Sequence, residues 1–154
     1  MNRVATTIVL AALLAVAGLR PAHAQIYVDK SANGANDGTS WTDAYTDLQD
    51  AIGNASSSSE IWVAEGVYTP DPGGTDQSKS FTITGQKDGI EVYGGFDATE
   101  STRSDRAPKE NRTILSGDID GDDNTDADGV TPTAGDIDGS NAHHVLFLRR
   151  PARR

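Results

Sequence analysis

EIWVAEGVYT, residues 60–69, holds two short β-type runs with a corner between them. Ile61, Trp62 and Val63 form the first run and Val67, Tyr68 and Thr69 the second. Ala64-Glu65-Gly66 turns the chain. The same alternation of short run and turn recurs on both sides. Ile26-Tyr27-Val28 precedes SANGANDGTS, a segment of turn formers at 31–40. Phe81 and Ile83 alternate with threonines, Ile90 and Val92 alternate with Glu91 and Tyr93, and Gly94-Gly95 ends that run. Thr113-Ile114-Leu115 and Val145–Leu148 follow. No Asn-Gly or Asp-Gly pair joins two adjacent runs as a two-residue hairpin. Corners without hairpins point to parallel stacking, in which each corner turns the chain and successive coils lie side by side.

One stretch reads as helix. Ala44, Leu48, Ala51, Ile52 and Ala55 make a single apolar stripe at helical spacing. Thr46-Asp47-Leu48-Gln49 matches a capping box with Thr46 at the N-cap, and Ser56–Ser59 ends the helix. So short a helix with one apolar face is expected to lie against other elements.

Met1–Ala24 reads as a secretory signal peptide. Arg3 supplies the positive start, Ile8–Leu19 the apolar run, and Ala22-His23-Ala24 the small-x-small cleavage site. The run is short for a bilayer, so an N-terminal membrane anchor is the less favoured reading. Residues 25–59 then form the N-terminal strand, turn and helix, 60–148 the body with an acidic loop at 117–139, and 149–154 a basic tail, RRPARR. That tail, just past the last run, is expected to mark either a truncated product or a natural basic extension.

The chain has 154 residues, no cysteine and a formal charge of −10, which becomes −12 once Arg3 and Arg20 leave with the leader. Thiolate metal sites and cysteine nucleophiles are excluded, and an exported chain of this kind must rely on packing, backbone ladders or bound ions. The acidity disfavours nucleic acid and anionic lipid and suits divalent cations.

IYVD (26–29), NDGTSW (36–41), LQDAI (48–52), EIWVAEGVYT (60–69), IEVYGGF (90–96) and TILSGDI (113–119) together resemble the N-terminal portion of secreted bacterial right-handed parallel β-helix proteins. These belong to the pectate-lyase-like superfamily, which includes relatives of the polymorphic outer-membrane proteins. The resemblance implies an all-β fold, a right-handed parallel β-helix (solenoid) closed at its front by a short capping α-helix. Ile61, Val63, Phe81, Ile83, Ile90, Val92 and Ile114 would stack inside it. The leader implies export to an extracellular, cell-surface or periplasmic location, and the resemblance implies polysaccharide or cell-surface partners. Enzymes of that fold cleave acidic polysaccharides, often with calcium and a basic residue, for which Arg103, Arg106, Lys109 and Arg112 are the candidates here.

GDIDGDDNTDADG, residues 117–129, puts six aspartates into thirteen positions. Calcium takes six to eight oxygen ligands, and alternating carboxylates supply them. Asp118, Asp120, Asp122, Asn124, Asp126 and Asp128 are the candidate ligands. Residues 124–129 match the opening half of an EF-hand loop, and Asp136-Ile-Asp138-Gly139 echoes it. The completing glutamate is missing, since Gly135 stands at its position, so a weak extracellular type of site is expected, with Kd of about 10⁻⁴–10⁻³ M. The alternative is a solvated acidic loop. Asp118/Asp120 and Asp136/Asp138 also have the spacing of a glycosidase pair. His143-His144 are adjacent, and strand geometry would turn them to opposite faces. Tyr27, Trp41, Trp62, Tyr68, Tyr93 and Phe96 serve either as a sugar-stacking face or as packing.

The functional expectation is a non-catalytic extracellular module with a structural, adhesive or glycan-binding role. The alternatives are a fragment of a polysaccharide lyase or glycoside hydrolase, and a calcium-binding extracellular module.

Overall fold

A computed structural model describes residues 24–149. The expected leader, apart from Ala24, and the basic tail after Arg149 lie outside the described residues. The strands are β1 (Gln25–Val28), β2 (Glu60–Ala64), β3 (Gly66–Tyr68), β4 (Phe81–Thr84), β5 (Glu91–Phe96), β6 (Thr113–Leu115) and β7 (Leu146–Arg149), and the helix is α1 (Leu48–Asn54). Every pairing between these strands is parallel, in three sheets ordered β1-β2-β5, β3-β6 and β4-β7.

The sheets correct the expected fold class. An all-β right-handed parallel β-helix requires a continuous ladder that winds on from coil to coil. Here the sheets are separate, hold three, two and two strands, and none is closed or solenoidal among the described residues. A helix supplies a large part of the core, so the architecture is a small mixed α/β one. Strands of three to six residues are separated by the long irregular segments 97–112 and 116–145, and no ladder grows beyond three strands.

The core shows how the apolar pattern is spent. Val28, Leu48, Ala51, Ile52, Ala55, Ile61, Val63, Tyr68 and Phe81 form one buried cluster, with Ile83, Ile90 and Val145 packed against it. The α1 stripe faces β1, β2 and β4, which is why a helix of two turns is stable here. Of the residues expected inside, Val92 is 41 % exposed.

The helix start also differs from the expected box. Asp47 is the N-cap, and its Oδ1 accepts from the Gln49 N–H at 2.6 Å. Thr46 donates instead to Asn36 Oδ1, and the Gln49 side chain accepts from the Thr82 N–H at 2.7 Å, tying α1 to β4. At the other end Lys87 Nζ donates to the Gly53 and Ala55 carbonyls, placing a cation at the helix C-terminus. Asp47→Ala is expected to cost about 1 kcal/mol in urea unfolding, while Asp47→Asn keeps the acceptor and costs a few tenths at most.

Where β2 meets β5 the register slips between Val63 and Ala64. Val63 lies opposite Gly94 and Ala64 opposite Phe96, so Gly95 is left over as a bulge. Beside it Trp62 stacks on Phe96, with ring centroids 4.7 Å apart and planes 9° off parallel; Tyr27 packs edge-on against Trp62 and Trp41, and Trp41 meets Phe96 at a tilt of 48°.

Candidate metal centre

The acidic stretch leaves β6 and returns before β7, and its two ends are pinned together. The Ala142 N–H donates to the Gly117 carbonyl at 2.7 Å and the Ile119 N–H to the Ser140 carbonyl at 3.1 Å. Between them Asp118 and Asn141 form an antiparallel bridge. Ile119, between Asp118 and Asp120, is buried, whereas Ile137, between Asp136 and Asp138, is exposed. A segment this charged is folded by a buried isoleucine, the clasp at its ends and the carboxylate–backbone hydrogen bonds within it.

Within the loop the carboxylates converge. Asp118 Oδ1 accepts from the N–H groups of Gly121 (2.7 Å) and Asp122 (3.2 Å), and Oδ2 from that of Asp123 (3.3 Å). This wrap brings one oxygen each of Asp118, Asp122 and Asp123 within 4.8 Å of one another, the one such grouping of three or more potential ligands among the described residues. Asp123 Oδ1 also accepts from the Asp138 N–H and the Asn141 amide, at 2.8 and 3.2 Å. Asp120 Oδ2 accepts from the Ser140 N–H at 2.8 Å. The Asp120 and Asp122 carboxylates both press on Gly139, where a Cβ would overlap them.

The electrostatics follow from this crowding. The Ser140 N–H holds the Asp120 carboxyl below the usual carboxylate range. Loss of hydration, then the negative charge of Asp120 and of Asp118 and Asp138, push Asp122 above it. Carboxylates held this close are an arrangement that a divalent cation relieves.

The other sequence candidates lie elsewhere. Asn124 joins the return segment through its backbone, its N–H donating to the Asp136 carbonyl at 2.9 Å. Asp126 Oδ1 accepts from the N–H groups of Asp128 and Val130 and closes its own turn. Asp128 pairs with Arg112 at 2.8 Å. Thr133 caps a single turn of 3₁₀ helix at Ala134–Asp136, and the Asp136 side chain accepts from the Thr133 N–H at 3.1 Å. The six candidates thus divide. Asp118 and Asp122 meet, Asp120 borders them, and Asn124, Asp126 and Asp128 hold the loop's own backbone or an arginine.

No family model, curated protein or solved structure matches this chain. Nothing ties it to the pectate-lyase-like superfamily beyond the sequence resemblance, and the site stands on its geometry alone.

Sequence reasoning passed over Asp123, because counting alternate positions from Asp118 skips it. The Asp122-Asp123 doublet was the available signal. Of the four cations, Arg103 contacts Glu60 at 3.0 Å and lies over the Tyr93 ring, which Arg106 also covers. Arg112 holds Asp128, and Lys109 borders an open groove with Gly94, Gly95 and Ile114. Trp62 and Phe96 are buried and Trp41 Nε1 donates to the Glu100 carbonyl, so these aromatics are packed. His143 and His144 are exposed. No helix among the described residues is long and apolar enough to cross a membrane.

Proposed function

We propose that the chain is an extracellular, non-catalytic structural module that takes calcium through its acidic loop. The observation that carries this reading is the meeting of Asp118, Asp122 and Asp123 within 4.8 Å. Their remaining lone pairs, water, and the nearby Asp120 carboxylate supply the oxygen-only environment that calcium favours. Backbone N–H groups of the loop and its return segment hold the Asp118 and Asp123 carboxylates in place, which keeps repelling charges together before an ion arrives. Binding there would tighten the clasp between 117–119 and 140–142 and fix the approach to β7.

The affinity expected of such an open site, Kd about 10⁻⁴–10⁻³ M, gives at about 1 mM calcium a stabilisation of ~0.4–1.4 kcal/mol. This corresponds to a rise in Tm of about 1–6 °C for a domain of this size. Isothermal calorimetry and thermal melts with calcium test it. No heat and no rise in Tm at several times the upper Kd would contradict the reading.

Asp122→Asn separates ion binding from simple acidity. Because the Asp122 pKa is raised in the fold, its contribution is present below the ordinary carboxylate range and is lost as pH rises through the folded value. At neutral pH the ionised group therefore opposes folding. Asp122→Asn is expected to raise the Tm of calcium-free protein at pH 7, to leave it nearly unchanged at pH 3, and to abolish the calcium-dependent rise. A variant that still responds fully to calcium would remove Asp122 from the site.

A further inference from the structure

Ala22-His23-Ala24 places the expected cut of the leader just before Gln25, and β1 begins at that same residue. The register from Gln25↔Glu60 to Val28↔Val63 lies wholly beyond the cut. Cleavage gives up one bond at the end of the sheet, from the Glu60 N–H to the Ala24 carbonyl at 3.0 Å. It leaves the free α-amine of a glutamine at the head of β1.

Gln25 also carries an unmet donor. Its Nε2 is shut off from water and has no hydrogen-bond partner, the one buried side-chain polar atom in that condition among the described residues. A primary amide nitrogen brings two N–H donors, and keeping them dry and unpaired opposes folding. The carboxylate of Glu60, the register partner of Gln25, takes Trp62 Nε1 and Arg103 instead, each at 3.0 Å. The folded strand therefore has no use for this amide group.

The two observations meet in one reaction. We propose that Gln25 is the mature N-terminus and closes to pyroglutamate. Its α-amine nitrogen attacks its own Cδ. The N–Cδ bond forms, the Cδ–Nε2 bond breaks, and Nε2 leaves as ammonia with the proton that the amine gives up. No other reactant is consumed. The atom expelled is the orphaned donor, and the charge of the terminal amine is lost with it. The lactam also lacks the free amine that aminopeptidases recognise. That protects β1, whose Val28 lies in the core cluster with Ile26 packed against it. The proposal rests on the export reading of the leader and is independent of calcium.

The full chain, expressed with its leader in an exporting bacterial host and held at neutral pH after purification, tests this by intact mass and N-terminal sequencing. The expected product is lighter by one ammonia than Gln25–Arg154, is blocked to stepwise sequencing, and is unblocked by pyroglutamyl aminopeptidase. Gln25→Met cannot close. It should show the full mass and lose residues from its N-terminus to a general aminopeptidase that leaves the closed chain intact. A leader removed before Gln25 with the glutamine still open would overturn the cyclisation alone. A chain that keeps the leader, or begins at another residue, would overturn it together with the export reading. Equal resistance of the two chains to the aminopeptidase would overturn the protective role.

Discussion

Phe81→Ala lowers the unfolding free energy by about 3–5 kcal/mol. The ring is fully buried at the start of β4, in the cluster that α1, β1 and β2 share. β4 is also the strand that α1 touches most. Truncation removes the transfer free energy of the ring and leaves a hole. The walls are poorly placed to collapse into it, because Gln49 fixes α1 to Thr82 through a 2.7 Å hydrogen bond. Against a total of about 5–15 kcal/mol for a domain, this is a large fraction. Urea unfolding followed by tryptophan fluorescence reads it. A loss below about 1 kcal/mol would mean that the cluster is not the core.

Gly95→Ala is expected to cost about 2–5 kcal/mol, by a different route. Gly95 is the extra residue of the β2–β5 bulge and has φ of +95°. An alanine there accepts a left-handed backbone at about 1–2 kcal/mol. Its Cβ would also sit 2.7 Å from Pro108 Cα, adding crowding of about 1–3 kcal/mol. The backbone cannot shift freely to make room. The Gly95 N–H donates to Thr113 Oγ1 at 3.0 Å, and its carbonyl accepts from the Ala107 N–H at 2.7 Å. The same urea experiment measures the loss. A cost under about 1 kcal/mol would show that the bulge and the contact with Pro108 are wrongly placed.

These two sites show what was legible in the sequence. Phe81 could be read as core from its alternation with threonines, and Ile61 and Val63 from their place in the apolar run 61–64. The parallel direction of pairing was legible in the want of hairpin dipeptides between runs. The bulge was not, because Gly94-Gly95 reads equally as the end of a strand, and only the partner strand reveals which glycine is surplus. The extent of the sheets was not legible either. Local pattern shows where strands form, but how many stack depends on the path of 97–112 and 116–145, which carry little apolar signal. The expected solenoid failed at that point. Val92 followed the right pattern and is still exposed, since alternation states which way a side chain points and not whether anything covers it.

The helix and the loop taught similar lessons. The stripe from Leu48 to Ala55 placed α1, yet Thr46 and Asp47 are both good caps. The choice fell to Asp47 because Asn36, ten residues back, takes Thr46. In the acidic loop the density of aspartates was plain, but their division of labour was not. Asp126 turns onto its own backbone and Asp128 meets Arg112, contacts decided by the fold of the loop and not by spacing along it. The clasp at Ile119 was hidden because a single isoleucine between two aspartates has no periodicity.

Calcium titration of nitrogen-labelled protein, followed by amide resonances, tests the central claim most directly. The account predicts saturating shifts at Gly121, Asp122, Asp123, Asp138, Gly139 and Asn141, with a midpoint of about 10⁻⁴–10⁻³ M. Resonances that stay still through that range, or that move first at Asp126 and Asp128, would contradict it.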